Sequence, residues 1–288
     1  MKKSKLARLI AAICCFAMLL TACSSNQTPA ESGGDGSTTA DSEKKVLTYA
    51  IGAETTDLST LYMNNSLYCT SKLVYENLVD FDNGEIVPGL AESWEYNDDQ
   101  TELTFHLRQG VTFHNGEPFN AEAVKTNLEH KQSNPSFYSL KGITDIQEIE
   151  VVDEYTITLH YDHPFYAYLQ DFCWPDVNPM SAPEYIIPGD FQTISGVAGT
   201  GPYIYDEYVA GEYTRFVRNE DYWGETPYWD EIIVKYIPDS TSRLQALQTG
   251  EIDMIYGGTL LTYEEYDQAL AMEWYRWADG PKKIPVCK

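Results

Sequence analysis

One stretch late in the chain narrows the fold more than any other. Positions 232–237 read Ile, Ile, Val, Lys, Tyr, Ile, an apolar run rich in the branched residues that favour strands. Asp239 follows, placed to cap a helix running to Thr249, and Gly250 stands where a helix stop needs left-handed backbone. Positions 252–255 supply another strand. A strand, a helix and a strand so closely spaced should cross over right-handed into a parallel pair. That excludes an all-helical or all-β protein and sets the class as mixed α/β.

The rest of the chain carries the same mixture. Positions 46–51 predict a short strand, followed by a polar loop with Asp57 and Thr60. A helix is expected over about 66–79, with Leu67, Val74 and Leu78 on one stripe. A strand at 93–96 turns at Asn97-Asp98-Asp99 into a second, where Leu103, Phe105 and Leu107 alternate with Thr104, His106 and Arg108. Asn115-Gly116 marks a tight turn, and Asn120 can cap a helix through Lys131 that carries Val124 and Leu128. Strands at 149–152 and 155–161 meet across Asp153-Glu154, and those at 203–208 and 213–217 flank the hairpin turn Ala210-Gly211. Thr262 with Glu265 makes a capping box for a last helix. No internal repeat is visible.

The first 45 residues give an address. Lys2, Lys3, Lys5 and Arg8 form a basic leader, and positions 9–20 are an apolar run too short to span a bilayer but suited to an export signal. The run ends in Leu20-Thr21-Ala22-Cys23, which resembles a bacterial lipobox. The resemblance implies cleavage after residue 22 and acylation of Cys23, and several acyl chains anchor a protein far more firmly than one. Residues 23–45, rich in Ser, Thr, Gly and Asp, read as a flexible tether reaching roughly 25 Å from the membrane. Location is then the outer face of a membrane, periplasmic or cell-surface according to the envelope of the host.

Charge excludes whole classes of partner. With 44 Asp and Glu against 19 Lys and Arg, the net charge is −25, and four of the bases belong to the signal. So acidic a surface repels phosphate backbones, so no nucleic-acid partner is expected. The 22 Tyr and six Trp could line a ligand cleft or fill a core; number alone does not choose. Beyond the signal and Cys23, the cysteines are Cys69, Cys173 and Cys287, with no C-x-x-C spacing for zinc or redox chemistry. Cys69 and Cys173 could pair in an oxidising compartment, and two buried thiols are the alternative. His160 and His163, three apart on a predicted strand, would face opposite sides, while His106, His114 and His130 sit within predicted elements. No metal site and no cofactor is expected.

Four blocks resemble one family. Pro88-Gly89-Leu90-Ala91-Glu92-Ser93-Trp94, with the continuation from Leu103 to Ala121, is the first; Gly199-Thr200-Gly201-Pro202-Tyr203 is the second. The third runs from Val217 to Gly224, through Asn219-Glu220-Asp221-Tyr222-Trp223, and the fourth is Gly250-Glu251-Ile252-Asp253-Met254. Order and spacing over about 46–271 are similar to the family 5 extracellular solute-binding proteins, peptide and nickel receptors of ATP-binding-cassette importers. The blocks themselves read as scaffold: Gly199-Thr200-Gly201-Pro202 lacks the Gly-Lys-Ser/Thr of a phosphate loop. The resemblance implies the N-terminal part of a two-lobed periplasmic-binding-protein-like fold of class II type, a mixed-sheet lobe with an inserted α+β subdomain, closing on solute without covalent chemistry. The first lobe would comprise about 46–61 and 167–271, with 62–166 inserted. Family members are nearly twice this long, so a truncated or frame-shifted product, or an incomplete gene reading, is the expectation. Residues 272–288, with Trp274, Trp277 and Cys287, form an atypical tail.

By the same resemblance, the loop after the first strand nominates Tyr62, Met63 and Tyr68 as ligand contacts. Phe137, Tyr138, Trp174, Asp176 and Asn178 are nominated from two further segments. Aromatics there could stack on a solute and Asp176 could pair with a cationic group, although core packing accounts for aromatics equally well. The nickel-type branch clamps a chelate's carboxylates with arginines where this chain has Asn134 and Asp176, which favours a peptide or other cationic solute over nickel. The implied protein is a monomeric, lipid-anchored receptor delivering an oligopeptide, dipeptide or metal chelate to permease subunits. A carbohydrate-active enzyme is the competing reading from the many acids and aromatics, but no motif singles out its two carboxylates. A receptor fragment with no binding of its own is the third.

Overall fold

The computed structural model describes residues 44–54, 58, 70–174, 178–191, 193, 195–257 and 261–272. The signal, Cys23, the tether up to residue 43, Tyr62, Met63, Tyr68, Cys69, Asp176 and Cys287 lie outside them.

Two cores are built on two sheets. The first sheet has the order β11-β1-β10-β9-β8, from β1 (Val46–Ile51), β8 (Tyr203–Val209), β9 (Tyr213–Arg218), β10 (Glu231–Tyr236) and β11 (Met254–Ile255). β1 runs parallel to both β10 and β11, and β10, β9 and β8 are antiparallel neighbours. The strand–helix–strand unit read from sequence is present, with α5 (Ser240–Thr249) capped by Asp239 and closed by Gly250 at φ 75°. Its two strands do not pair with each other, because β1 from the far end of the chain occupies the place between them. Both faces of β1 are covered, as parallel strands require. Leu47, Tyr49 and Ile51 join Phe216, Ile232 and Val234 on one side, while Ala50 meets Ala246, Leu247 and Ile252 on the other. α6 (Tyr263–Leu270) opens with the expected capping box, in which Thr262 and Glu265 satisfy each other's backbone N–H.

The second sheet is antiparallel, in the order β4-β5-β7-β6, from β4 (Ala91–Tyr96), β5 (Glu102–Leu107), β6 (Ile146–Asp153) and β7 (Thr156–Tyr161). Leu103, Phe105 and Leu107 point inward under α2 (Ala121–Ser133), which Asn120 caps through a bond from the Ala123 N–H. Thr104 and Thr158 share a hydroxyl bond of 2.9 Å on the open face. The packing around this sheet continues past position 166: Tyr168, Phe172, Cys173, Met180, Ala182 and Ala198 all join its core.

The helix expected over 66–79 is a single turn, α1 (Ser71–Val74), and positions 66–69 are outside the described residues. Tyr75 is already extended, with φ −116° and ψ 150°. The apolar stripe of that segment serves both cores instead. Leu73, Val74 and Tyr75 pack under the first sheet, and Leu78 and Val79 pack under the second. Val79 begins a hairpin of β2 (Val79–Asp82) and β3 (Glu85–Pro88), turned by Asn83 at φ 52° and Gly84 at φ 93°. This is the Asn-Gly turn whose positive φ angles match strand twist.

Candidate functional site

The chain passes from one core to the other at 75–78 and returns at 198–203, and a single acid holds both crossings. Glu76 is partly buried between them. Its Oε2 accepts from the Thr200 hydroxyl at 2.8 Å and from Trp223 Nε1 at 2.7 Å, and its Oε1 accepts from the Tyr222 hydroxyl at 2.7 Å. Its backbone carbonyl accepts from the Met180 N–H at 2.9 Å. Desolvation raises its carboxyl above the usual range, opposed by the three donors and by Lys72. Arg108 lies over the Trp223 ring at 4.5 Å and donates to the Gly89 carbonyl at 2.7 Å.

The same crossing explains the Gly-Thr-Gly block. Gly201 N–H donates to the Val74 carbonyl at 2.9 Å, and a Cβ on Gly201 would stand 2.7 Å from that oxygen. The Gly201 carbonyl in turn receives Asn219 Nδ2 at 3.1 Å and lies 2.9 Å from His114 Nε2. Burial pulls that imidazole below its ordinary value. Three of the four sequence blocks therefore meet in one joint, and their residue types are those the joint requires.

Four of the eight proposed ligand contacts can be placed. Phe137 closes a 3₁₀ turn (Pro135–Phe137) and is fully buried with Leu140 and Ile143. Its neighbour Tyr138 is 75% exposed. Trp174 is 58% exposed, whereas Asn178 is fully buried. Asn134, set where the nickel-type branch has arginine, spends its side chain on the Ser136 N–H at 2.9 Å.

The two segments are brought to one helix pair. Phe137 and Tyr138 lead into α3 (Lys141–Thr144), and Trp174 follows α4 (Tyr168–Asp171). The pair packs closely because Gly142 has no side chain: a Cβ there would lie 2.5 Å from the Tyr168 carbonyl. Gly142 N–H donates to Asp171 Oδ2 at 2.7 Å, and burial pushes the Asp171 carboxyl up despite that bond. Tyr161 donates to the Gly142 carbonyl at 2.9 Å and stacks on Tyr168 at 3.9 Å. Cys173 carries a free, buried thiol whose burial raises it to about 11.

Sequence reasoning passed over two residues that organise this region. Glu76 was legible as an acid inside the run Leu73-Val74-Tyr75-Glu76-Asn77-Leu78-Val79. Lys131, the last residue of the predicted helix, is buried beside Asn178 and Pro179, and burial lowers its ammonium to about 7. Among the described residues no three His, Cys, Asp or Glu side chains converge as a metal would need. His160 stands between Glu150 at 3.0 Å and Glu102 at 3.5 Å, and His163 lies beyond the end of β7, beside Asp162. No described helix is long and apolar enough to cross a membrane.

A mixed sheet with an N-terminal strand inserted between two late ones, carrying an antiparallel subdomain, is the architecture of a periplasmic-binding-protein lobe. NikA of Brucella suis, solved with Fe(III)-EDTA, superposes with a TM-score of 0.75 at 33% identity, covering 80% of this chain and 47% of that one. DppA of Helicobacter pylori, solved with the peptide STSA, gives 0.68 at 27% identity. The chain belongs to the bacterial extracellular solute-binding proteins, family 5, whose middle portion matches residues 85–283. That match enters the stretch 272–288 set apart on composition. Among curated relatives, the nickel-binding periplasmic protein of Escherichia coli is 36% identical over 68% of this chain and 38% of its own length. Heme-binding protein A of Haemophilus influenzae is 32% identical over 66% of this chain and 39% of its own. The chain thus spans about two fifths of the curated relatives it matches. The family is one of solute-binding proteins, not enzymes, which removes the carbohydrate-active reading.

Proposed function

We propose that this chain is the solute-capturing component of an ATP-binding-cassette importer, working as a monomer outside the membrane, with permease subunits and an ATPase as separate chains. The observation that carries the reading is its membership of family 5, together with the close superposition on a receptor lobe. The solute is a peptide or another cationic, peptide-like molecule in preference to a carboxylated metal chelate, since Asn134 is committed to a turn and offers no guanidinium fork. Tyr138 and Trp174 form the exposed contacts, with Phe137 and Asn178 behind them. Tyr62, Met63, Tyr68 and Asp176 complete the set from sequence. The inserted part extends to about residue 198, judged by which core each residue joins.

Calorimetry with a dipeptide, glutathione, heme and a nickel–histidine chelate tests the solute. A peptide-like solute should bind saturably, and Trp174→Ala or Tyr138→Ala should weaken it about 5–30-fold, as the loss of an aromatic anchor does. Preferred binding of the nickel chelate would overturn the peptide assignment. Silence from all four at millimolar concentration, with the chain folded, would overturn the receptor reading. Cys23 carries the lipid anchor and 23–45 the tether: in a bacterial host, labelled fatty acid should mark the chain and vanish in Cys23→Ser.

A further inference from the structure

α2 meets the segment after α4 through a seam of polar side chains. Asn127 Nδ2 donates to the Ser181 carbonyl at 2.8 Å, and its Oδ1 accepts from the Ser181 N–H at 2.9 Å. One turn later Lys131, fully enclosed, donates through Nζ to the Pro179 carbonyl at 2.7 Å and lies 3.4 Å from Asn178 Oδ1. Asn178 passes the connection on. Its Nδ2 donates to the Asp171 carbonyl at 3.1 Å, and its backbone N–H donates to the Trp174 carbonyl at 3.0 Å. A chain of bonds thus leads from a buried ammonium to the backbone carbonyl of Trp174, the residue whose exposed side chain is nominated as a ligand contact.

We propose that Lys131 is a positioning residue for Trp174, fixing it through Asn178 when protonated and loosening it when neutral. The inference rests on the proposed function only in treating Trp174 as a solute contact. An ammonium donates charge-assisted bonds about twice as strong as those of a neutral amine, so loss of its proton weakens the first link. Burial, the cause that lowers Lys131 to about 7, brings both forms within reach near neutral pH. The titratable neighbours along the seam are His130 on α2, held low by burial and by Lys131; Asp190, which faces His130 across the seam; and Asp171 and Cys173 at the end of α4.

The test uses the full chain labelled with 5-fluorotryptophan, with the Trp174 fluorine resonance identified by its absence in Trp174→Phe. Spectra are recorded from about pH 5.5 to about 9, a range that brackets the Lys131 value. The Trp174 resonance should shift in one step centred near about 7. The step should be absent in Lys131→Met, which keeps the stem and removes the charge. It should also be absent in Asn178→Ala, which leaves Lys131 in place and cuts the link. A step that persists in Lys131→Met, or a resonance that does not move in the parent chain, would overturn the proposal. Persistence in Asn178→Ala alone would also overturn it, because Lys131 would then act through space and not by positioning. If Lys131→Met fails to fold, Asn178→Ala decides alone. No solute is present in these experiments, so their failure is separate from failure of the receptor reading.

Discussion

Replacing Gly199 with alanine should be among the most damaging single changes the fold can take. A Cβ there would stand 2.0 Å from the Val74 carbonyl oxygen and 2.7 Å from both the Val74 carbonyl carbon and the Tyr75 ring. Ordinary contact begins near 3.4 Å, so the wall or the loop must retreat by about 1.4 Å. The wall is backbone: Val74 is fully buried and its carbonyl already receives the Gly201 N–H. Overpacking against such a wall costs up to about 3 kcal/mol. Lifting the loop also loosens the bond from the His114 N–H to the Gly199 carbonyl and that from Gly201 to Val74, each worth about 1 kcal/mol. A net loss of about 3–5 kcal/mol follows, equivalent to a fall of ~1–2 M in the urea midpoint. Gly196→Ala is the control. Its Cβ would come within 2.4 Å of Tyr185, but the obstacle is a side-chain ring that can swing aside, so the cost should stay near about 1 kcal/mol. Equal losses for the two variants, or a Gly199→Ala chain within about 1 kcal/mol of the parent, would refute the reasoning.

Four further outcomes are expected. Glu76 holds its proton more tightly folded than unfolded, so its contribution is complete below the unfolded value and is lost as pH rises through the folded one; Glu76→Gln should flatten that decline in urea unfolding measured at successive pH values. Glu76→Ala, which strands the Thr200, Tyr222 and Trp223 donors, should cost about 2–4 kcal/mol at any of them. Asn120→Ala removes the side-chain cap of α2 and should cost about 1 kcal/mol, while Asn120→Asp retains most of it. In a chain whose other cysteines are serine, Cys173, with its thiol raised to about 11, should react with a thiol reagent at neutral pH only as the protein unfolds; rapid reaction of the folded chain would contradict its burial.

What was legible in the sequence was local. Asp239 and Gly250 bracket α5, Thr262 with Glu265 opens α6, and Asn120 opens α2, because caps and stops are decided within a turn of chain. The expected 66–79 helix failed because Val74 and Leu78 share an apolar spacing yet serve different cores, which periodicity cannot distinguish. The Asn83-Gly84 pair, a hairpin signal present in the sequence, went unread. The position of β1 between β10 and β11 leaves no mark on neighbouring residues, since it depends on partners far along the chain. At the candidate site, Phe137 and Tyr138 are adjacent aromatics with opposite exposures, a difference set by a single 3₁₀ turn.

The place of β1 also governs the order in which the protein can assemble. The β8–β9 hairpin and its pairing with β10 join nearby segments, and the antiparallel sheet can complete itself from within 91–161. β1 cannot. At its threshold the Lys45 N–H is bonded to Asp230, a partner 185 residues away, and its other neighbour, β11, comes later still. Closing so long a loop adds little to the equilibrium cost, which grows only with the logarithm of length, but such distant pairings slow the search. A chain emerging from the ribosome thus presents Val46-Leu47-Thr48-Tyr49-Ala50-Ile51 early and must keep that adhesive strand unpaired until its slot exists. Mutations that slow formation of β10 or α5 should therefore show themselves first as aggregation during synthesis, before any loss of stability in the finished fold.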